Sequence, residues 1–357
     1  MLRTLPLLFA AILPMVAAAA QTVTVQLQPS QDNTLYEDPA GLLSNGAGQY
    51  LFVGQTGAGA IRRALLQFDV AAVIPPMSRI VGVELRLVSS RSTAPAPIQV
   101  ELHRVTSPWG EGTSIGAGGE GSGGAAQPGD ATWTHGILPG SPWATPGGDF
   151  VAASAVTTMP VLGAFTFANT IEMIADVQSW LLGLQPNHGW VVKTAETGGN
   201  TSRRLDSRQN TSLTGVVPQL TVRYLPPGAA ESFGQGCSTS GGMPFTQTVT
   251  GPVAQGQTMS LTLQSGVPFG LYVTLLSYDV LPEPNLIDVG CYWWLRPISF
   301  PNMGVRFHDA TGVSTETIAI PQLSALSGLP LALQSILVDF AAPRQYSLSN
   351  AHLLCVQ

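Results

Sequence analysis

From residue 22 onward the chain alternates. Residues 22–28 read T-V-T-V-Q-L-Q, with an apolar residue at every second position. Residues 80–88 (I-V-G-V-E-L-R-L-V) put Val81, Val83, Leu85 and Leu87 on one side, and residues 98–105, 189–194 and 219–225 behave likewise. Successive side chains of an extended strand point to opposite faces, so a period of two predicts strands with one buried face. Residues 62–70 form a further strand of mixed pattern, and 259–263, 271–277 and 331–340 add strands in the last third. Only residues 170–184 carry a helical period, with Ile171, Ile174, Val177, Leu181 and Leu184 on one face and Asn169 or Thr170 as the cap. Many short strands with one short helix predict an all-β chain of two domains: an N-terminal jelly-roll β-sandwich and a smaller C-terminal β-sandwich.

The ends of the pattern set the boundaries. Arg3, the apolar run 5–16 and Ala18-Ala19-Ala20 have the order of a signal peptide over residues 1–20, so a secreted or cell-surface protein is expected to start at Gln21. That run is short of the roughly 20 residues a membrane span needs, and no later run is longer. Leu225-Pro226-Pro227-Gly228 stops a strand and divides a first domain, 21–226, from a second, 228–357. Residues 110–129 are so rich in glycine that they must form a surface loop. Charged residues make up only 10% of the chain, and Lys193 is the one lysine among 15 basic residues. A nucleic-acid binder needs clustered basic side chains to displace counterions, so that class is excluded.

The candidate chemistry is sparse. Of Cys237, Cys291 and Cys355, two are expected to pair in an exported chain; Cys237 with Cys291 is the preferred disulfide, and a pairing of Cys355 is the alternative. No close Cys or His pair offers a zinc site. Gly116-x-Gly118-x-x-Gly121 lacks the strand and helix that a dinucleotide loop requires. Glycoside hydrolysis would need two carboxylates roughly 5–9 Å apart, for which Glu111, Glu120, Asp130 and Asp149 are the pool; His103, His135 and His188 are isolated and read as structural. A structural calcium would draw on Asp32, Glu37, Asp38, Glu111 and Asp130, because loops supply the oxygens it takes. For sugar binding, Trp143 is the best exposed ring. Trp109 and Trp133 flank the glycine-rich loop and read as its anchors or as ligand contacts, while Trp180 and Trp190 read as core. Arg203, Arg204 and Arg208 could face an acidic polysaccharide or pair with nearby carboxylates. In Tyr292-Trp293-Trp294 one face is core and the other a contact patch.

Several segments, in order, resemble the DNRLRE domain, an exported β-sandwich family related to carbohydrate-binding modules. They are Q-D-N-T-L-Y around Asp32, L-F-V-G at 51–54, R-R-A-L-L-Q-F-D-V at 62–70, V-E-L-R-L at 83–87, V-T-S-P-W-G-E at 105–111, D-A-T-W at 130–133, V-Q-S-W at 177–180 with N-H-G-W at 187–190, L-D-S-R-Q at 205–209, and P-Q-L-T-V at 218–222. The family often carries Glu where this chain has Gln209. The tail, with F-G-Q-G-C at 233–237 and D-V-G-C at 288–291, is similar to a C-terminal module of secreted proteins from planctomycete-type bacteria. The resemblance implies a sugar- or matrix-contacting module. The expected function is therefore an exported, non-catalytic binding or adhesion protein whose partner is polysaccharide or a cell-surface component. The alternatives are a structural surface protein that only builds an assembly, and a polysaccharide-degrading enzyme.

Overall fold

The computed structural model describes residues 22–211, 216–296 and 302–357; the signal peptide expected over residues 1–20 lies outside them. Two compact units divide between Pro227 and Gly228, one residue from the boundary the prolines predict.

The first unit runs β1 (Val23–Leu27), β2 (Gln31–Tyr36), β3 (Leu43–Ser44), β4 (Tyr50–Gln55), β5 (Ile61–Gln67), β6 (Arg79–Ser92), β7 (Ile98–Val105), β8 (Gly124–Ala125), β9 (His135–Ile137), β10 (Ser141–Pro142), β11 (Phe150–Met159), β12 (Gly163–Phe167), α1 (Ile171–Leu181), β13 (Trp190–Thr194), β14 (Arg203–Asp206) and β15 (Gln219–Leu225). The long strand β6 is the spine of one sheet. Strand β12 pairs with its residues 85–89, while β15 and β14 share its other edge end to end, at residues 79–86 and 89–92. Beyond these lie β1, paired with β15, and β4, paired with β14. The second sheet has the order β2-β5-β13-β7-β11, and β4 meets β5 at Gly54–Arg62 to turn the corner between the sheets.

Alternation places the core between the sheets. Leu51, Val53, Val83, Leu85 and Leu87 from the first sheet meet Ala64, Leu66, Val100, Leu102 and Val192 from the second. The helix closes this core on a face rotated from the one its sequence period predicts: Val177 is buried and Ile174 and Leu181 are partly buried, but Ile171 and Leu184 are exposed. Thr170 caps it by accepting from the Met173 N–H, and Met173, Val177 and Trp180 face inward. The Trp180 and Trp190 rings lie 4.5 Å apart, so both are core, as expected. Strands β5 and β13 are apolar on both faces, and a second cluster covers their outer side: Leu65 and Val191 lie under Trp109, Trp133 and Trp143.

The second unit comprises β16 (Ala230–Phe233), β17 (Thr246–Thr250), β18 (Thr258–Gln264), β19 (Leu271–Ser277), β20 (Val280–Asp288), β21 (Cys291–Leu295), β22 (Asn302–Phe307), β23 (Val313–Ala319), β24 (Pro330–Val338) and β25 (Tyr346–Cys355). A sheet β16-β25-β24-β19-β22 and a three-stranded sheet β17-β18-β23 contribute to one apolar core. The β20–β21 hairpin is tied down by the Cys237–Cys291 disulfide, with Cα atoms 4.7 Å apart, and Cys355 is buried as a thiol. Strand β25 also buries polar side chains. Gln247 donates from Nε2 to the Leu333 carbonyl (2.8 Å) and to His352 Nδ1 (3.3 Å), and accepts from Ser335 Oγ (2.9 Å).

The His352 ring nitrogen facing Gln247 is therefore an acceptor, and burial lowers the ring's pKa to about 4 from 6.5. The unfolded chain takes up this proton below pH 6.5 while the folded chain refuses it until pH 4. The His352 contribution to stability should accordingly fall as pH drops through that window and then level off. An NMR titration of the His352 ring in the folded chain is expected to show a midpoint near 4; a midpoint near 6.5 contradicts the buried acceptor.

Candidate functional site

The outer face of the β6 sheet carries the chain's most unusual charge arrangement. In the register of β4, β14 and β6, Phe52 lies opposite Arg204, and Arg204 opposite Arg91. The flanking Leu51, Val53 and Leu205 point into the core, so this row points away from it. Two like charges directly opposite one another weaken a strand pair. Among the described residues neither guanidinium has a carboxylate within ion-pair distance. Arg204 is held by Ser90 Oγ (3.1 Å) and by the Tyr50 ring, 3.7 Å from its guanidinium carbon. Arg91 is exposed. Both line an open cleft of about 320 Å³ whose rim includes the hydroxyl-bearing Ser92, Thr93 and Ser122.

The opposite wall of the cleft is the glycine-rich loop, which is ordered and tied down. Its short strand β8 pairs with β3. The carboxylate of Glu120 accepts from the Gln49 N–H (3.1 Å), the Tyr50 N–H (3.0 Å) and Asn45 Nδ2 (2.9 Å). Tyr36 Oη donates to the Glu120 carbonyl at 2.9 Å. Gly123 has φ +72°, and a Cβ there would sit 3.2 Å from the Tyr36 ring, so glycine serves both the turn and the close approach. Asp130 fixes the far end, accepting from Thr113 N–H (2.8 Å) and Gln127 N–H (2.7 Å).

Beside the loop's start lies a second polar cluster. Glu111 pairs with Arg208 through both carboxylate oxygens and also accepts from the Asp32 N–H (2.9 Å) and Gln209 Nε2 (3.0 Å). Asp32 is almost fully buried and accepts the Arg208 N–H at 2.7 Å. Burial pushes its carboxyl up to about 7, the Arg208 N–H opposing and the Glu111 charge reinforcing the shift. Gln209 bridges Glu111 to the Gly46 carbonyl. An amide here provides the donor that a third carboxylate beside Asp32 and Glu111 would lack.

Several expectations are corrected. Trp143 is buried at 6% exposure, and its Nε1 donates to the Thr132 carbonyl at 2.9 Å. Trp109 and Trp133 are buried beside it, Trp109 donating to the His188 carbonyl at 2.8 Å. All three rings cover the second apolar face of β5 and β13, so none is placed to stack on a ligand. Arg203 is also buried and donates to the Ala96 carbonyl at 2.6 Å, because adjacent strand residues face opposite ways. Arg208 is occupied by Glu111. The calcium pool does not converge either. Glu37 accepts the Ile61 N–H, Asp38 the Ala40 and Leu42 N–H groups, and Asp130 its own loop. Only Asp32 and Glu111 meet, and no group of three or more His, Cys, Asp or Glu placed to hold a metal is found among the described residues. Of the six proposed ligand contacts only Arg204 lines the cleft. Arg91 and Phe52 were missed; strand β6 runs past the expected end at Val88 to Ser92, and the register that pairs Arg91 with Arg204 exists only in the fold.

No family model and no curated protein matches the chain. Among solved structures it shows a weak similarity to a putative β-galactosidase from Bacteroides fragilis, with 9% identity, TM-score 0.18, and coverage of 93% of this chain and 41% of the other. A β-D-glucuronidase for Dictyoglomus thermophilum gives 8% identity, TM-score 0.18, and coverage of 94% and 44%. The chain thus spans about two fifths of the length of each.

Two outcomes test this description. Glu120→Ala removes three hydrogen bonds, leaving the Gln49 and Tyr50 N–H groups without their acceptor while Asn45 Nδ2 keeps the Tyr50 carbonyl, and should cost about 2–3 kcal/mol, with faster hydrogen exchange confined to residues 45–50 and 110–129. For Asp32, a proton held up to about pH 7 in the folded chain is released near 3.8 in the unfolded one. Its contribution is thus complete below about pH 4 and lost as pH rises to 7. Urea midpoints of the natural chain should fall relative to Asp32→Asn across that window and run parallel above it.

Proposed function

We propose that the chain is an exported, non-catalytic protein that binds an acidic polysaccharide at the Arg91–Arg204 cleft. The observation that carries this reading is the pair of guanidiniums side by side on one sheet row with no carboxylate within ion-pair distance among the described residues. A planar guanidinium matches a uronate carboxylate or a sulfate in two-pronged geometry, and the rim hydroxyls suit the alcohol groups of a sugar. Phe52 and the glycine-rich loop form a preformed cleft, which limits the ordering cost of binding. A cleft this open suits a polymer that passes through it. The non-catalytic part rests on the four carboxylates an enzyme could use. Glu111, Glu120, Asp130 and Asp149 each accept hydrogen bonds from neighbouring backbone N–H groups. Export fits the disulfide, which persists in oxidising surroundings, and among the described residues no helix is long and apolar enough to cross a membrane.

Titration calorimetry with a polyuronate, a sulfated polysaccharide and a neutral glucan tests the reading. Binding of at least one acidic polymer, and none of the glucan, is expected, with affinity falling as salt is raised. Arg204→Ala and Arg91→Ala should each weaken it by about 10- to 100-fold, the worth of a charge-assisted hydrogen bond. Equal binding of the neutral glucan, or indifference to both substitutions, overturns it.

A further inference from the structure

The same sheet face continues along β6 to a second open cleft, of about 280 Å³, lined by Thr24, Gly82, Glu84, Asn169, Thr221 and Arg223. The register builds it from β1, β15 and β6: Thr24 lies opposite Arg223 and Arg223 opposite Gly82, while Gln26 lies opposite Thr221 and Thr221 opposite Glu84. These positions alternate with the inward-facing Val83, Leu85 and Val222, so they share the outer side of the sheet with Arg91 and Arg204. Gly82 has no positive φ to require it. A Cβ there would meet the Arg223 side chain at 3.5 Å, an ordinary contact, so only a side chain larger than alanine would crowd the cleft. Arg223 and Glu84 are exposed, and neither makes an ion pair among the described residues. Between the two clefts Arg86 stands on the same face, opposite Gln219 on one side and Thr166 on the other, also without an ion pair.

We propose that this second cleft is a further anion subsite, and that one linear acidic polysaccharide runs along β6 from Arg91–Arg204 past Arg86 to Arg223. This rests on the reading of the first cleft given above. Charge complementarity carries it: by strand parity four guanidiniums and two carboxylates, Glu84 and the buried Asp206, share a face of a chain whose net charge is −6. Arg91 lies nine positions beyond Gly82, about 30 Å of extended strand, so a monosaccharide or disaccharide reaches one cleft only. Glu84, Asn169 and the two threonines offer acceptors and donors for neutral sugar hydroxyls between the charged groups. The second contact is then intramolecular, and its gain appears only once the ligand spans both clefts.

The test is a length series of size-defined oligouronates, or sulfated oligosaccharides if the sulfated polymer is the one bound, measured by calorimetry. In the natural chain affinity should step up by about 100-fold once the oligomer can span both clefts. Arg223→Ala removes the charge and Gly82→Val fills the space; in both, long oligomers should fall back toward the short-oligomer affinity. Arg204→Ala should weaken every length. Circular dichroism and the thermal midpoint confirm that each variant is folded. Affinity that does not step with length, or a step that survives both Arg223→Ala and Gly82→Val, overturns the second subsite and leaves the first cleft standing. Failure of every acidic polymer to bind overturns both.

Discussion

The arrangement of the first unit depends on a buried carboxylate that pairs with no cation among the described residues. Glu120 is 7% exposed and makes three hydrogen bonds to Asn45, Gln49 and Tyr50. Burying a charge is costly unless hydrogen bonds replace its water, and the turn before β4 supplies them. That one side chain joins a loop of low sequence complexity to the strand carrying Phe52. Among the described residues that line the cleft it is the one carboxylate, and these hydrogen bonds occupy both its oxygens. The positive character of the cleft is thus a by-product of how the loop is held.

Much of the fold could be read from the alternation. Residues 98–105, 219–225 and 271–277 coincide with β7, β15 and β19, and Thr170 caps the helix as its spacing implies. The Cys237–Cys291 disulfide is the pairing the sequence preferred, and Cys355 lies buried at the end of β25. Burial of the loop tryptophans was less legible, though the signal was present. In Ala64-Leu65-Leu66 and Trp190-Val191-Val192 every residue is apolar, which means both faces of that sheet are covered. Something from the long excursion between β7 and β11 had to provide the second cover, and Trp109, Trp133 and Trp143 do.

The site was far less visible. Arg203 and Arg204 are neighbours in the chain, yet one is sealed in the interior and the other lines a cleft; parity alone separates them, and parity needs a fixed register. Arg91 lies more than 100 residues from Arg204, on a strand whose last residues include a bulge, and bulges reset the alternation from which a register is inferred. The acidic residues misled for a related reason. Glu37, Asp38, Glu111 and Asp130 look like a ligand set in sequence because they fall in loops. The loops need them as acceptors for their own N–H groups.

The glycine-rich segment has a practical consequence. Filters that flag biased composition would treat residues 110–129 as a dispensable spacer, and an engineer trimming the chain for expression would delete them first. Yet Gly116 and Gly124 pack so closely against Glu120 and Ile115 that neither accepts a side chain in place. Swapping the stretch for a generic flexible linker of equal length would preserve its composition and lose its shape. Here monotony of sequence reflects a packing requirement, and excising it would strip one bank from the groove.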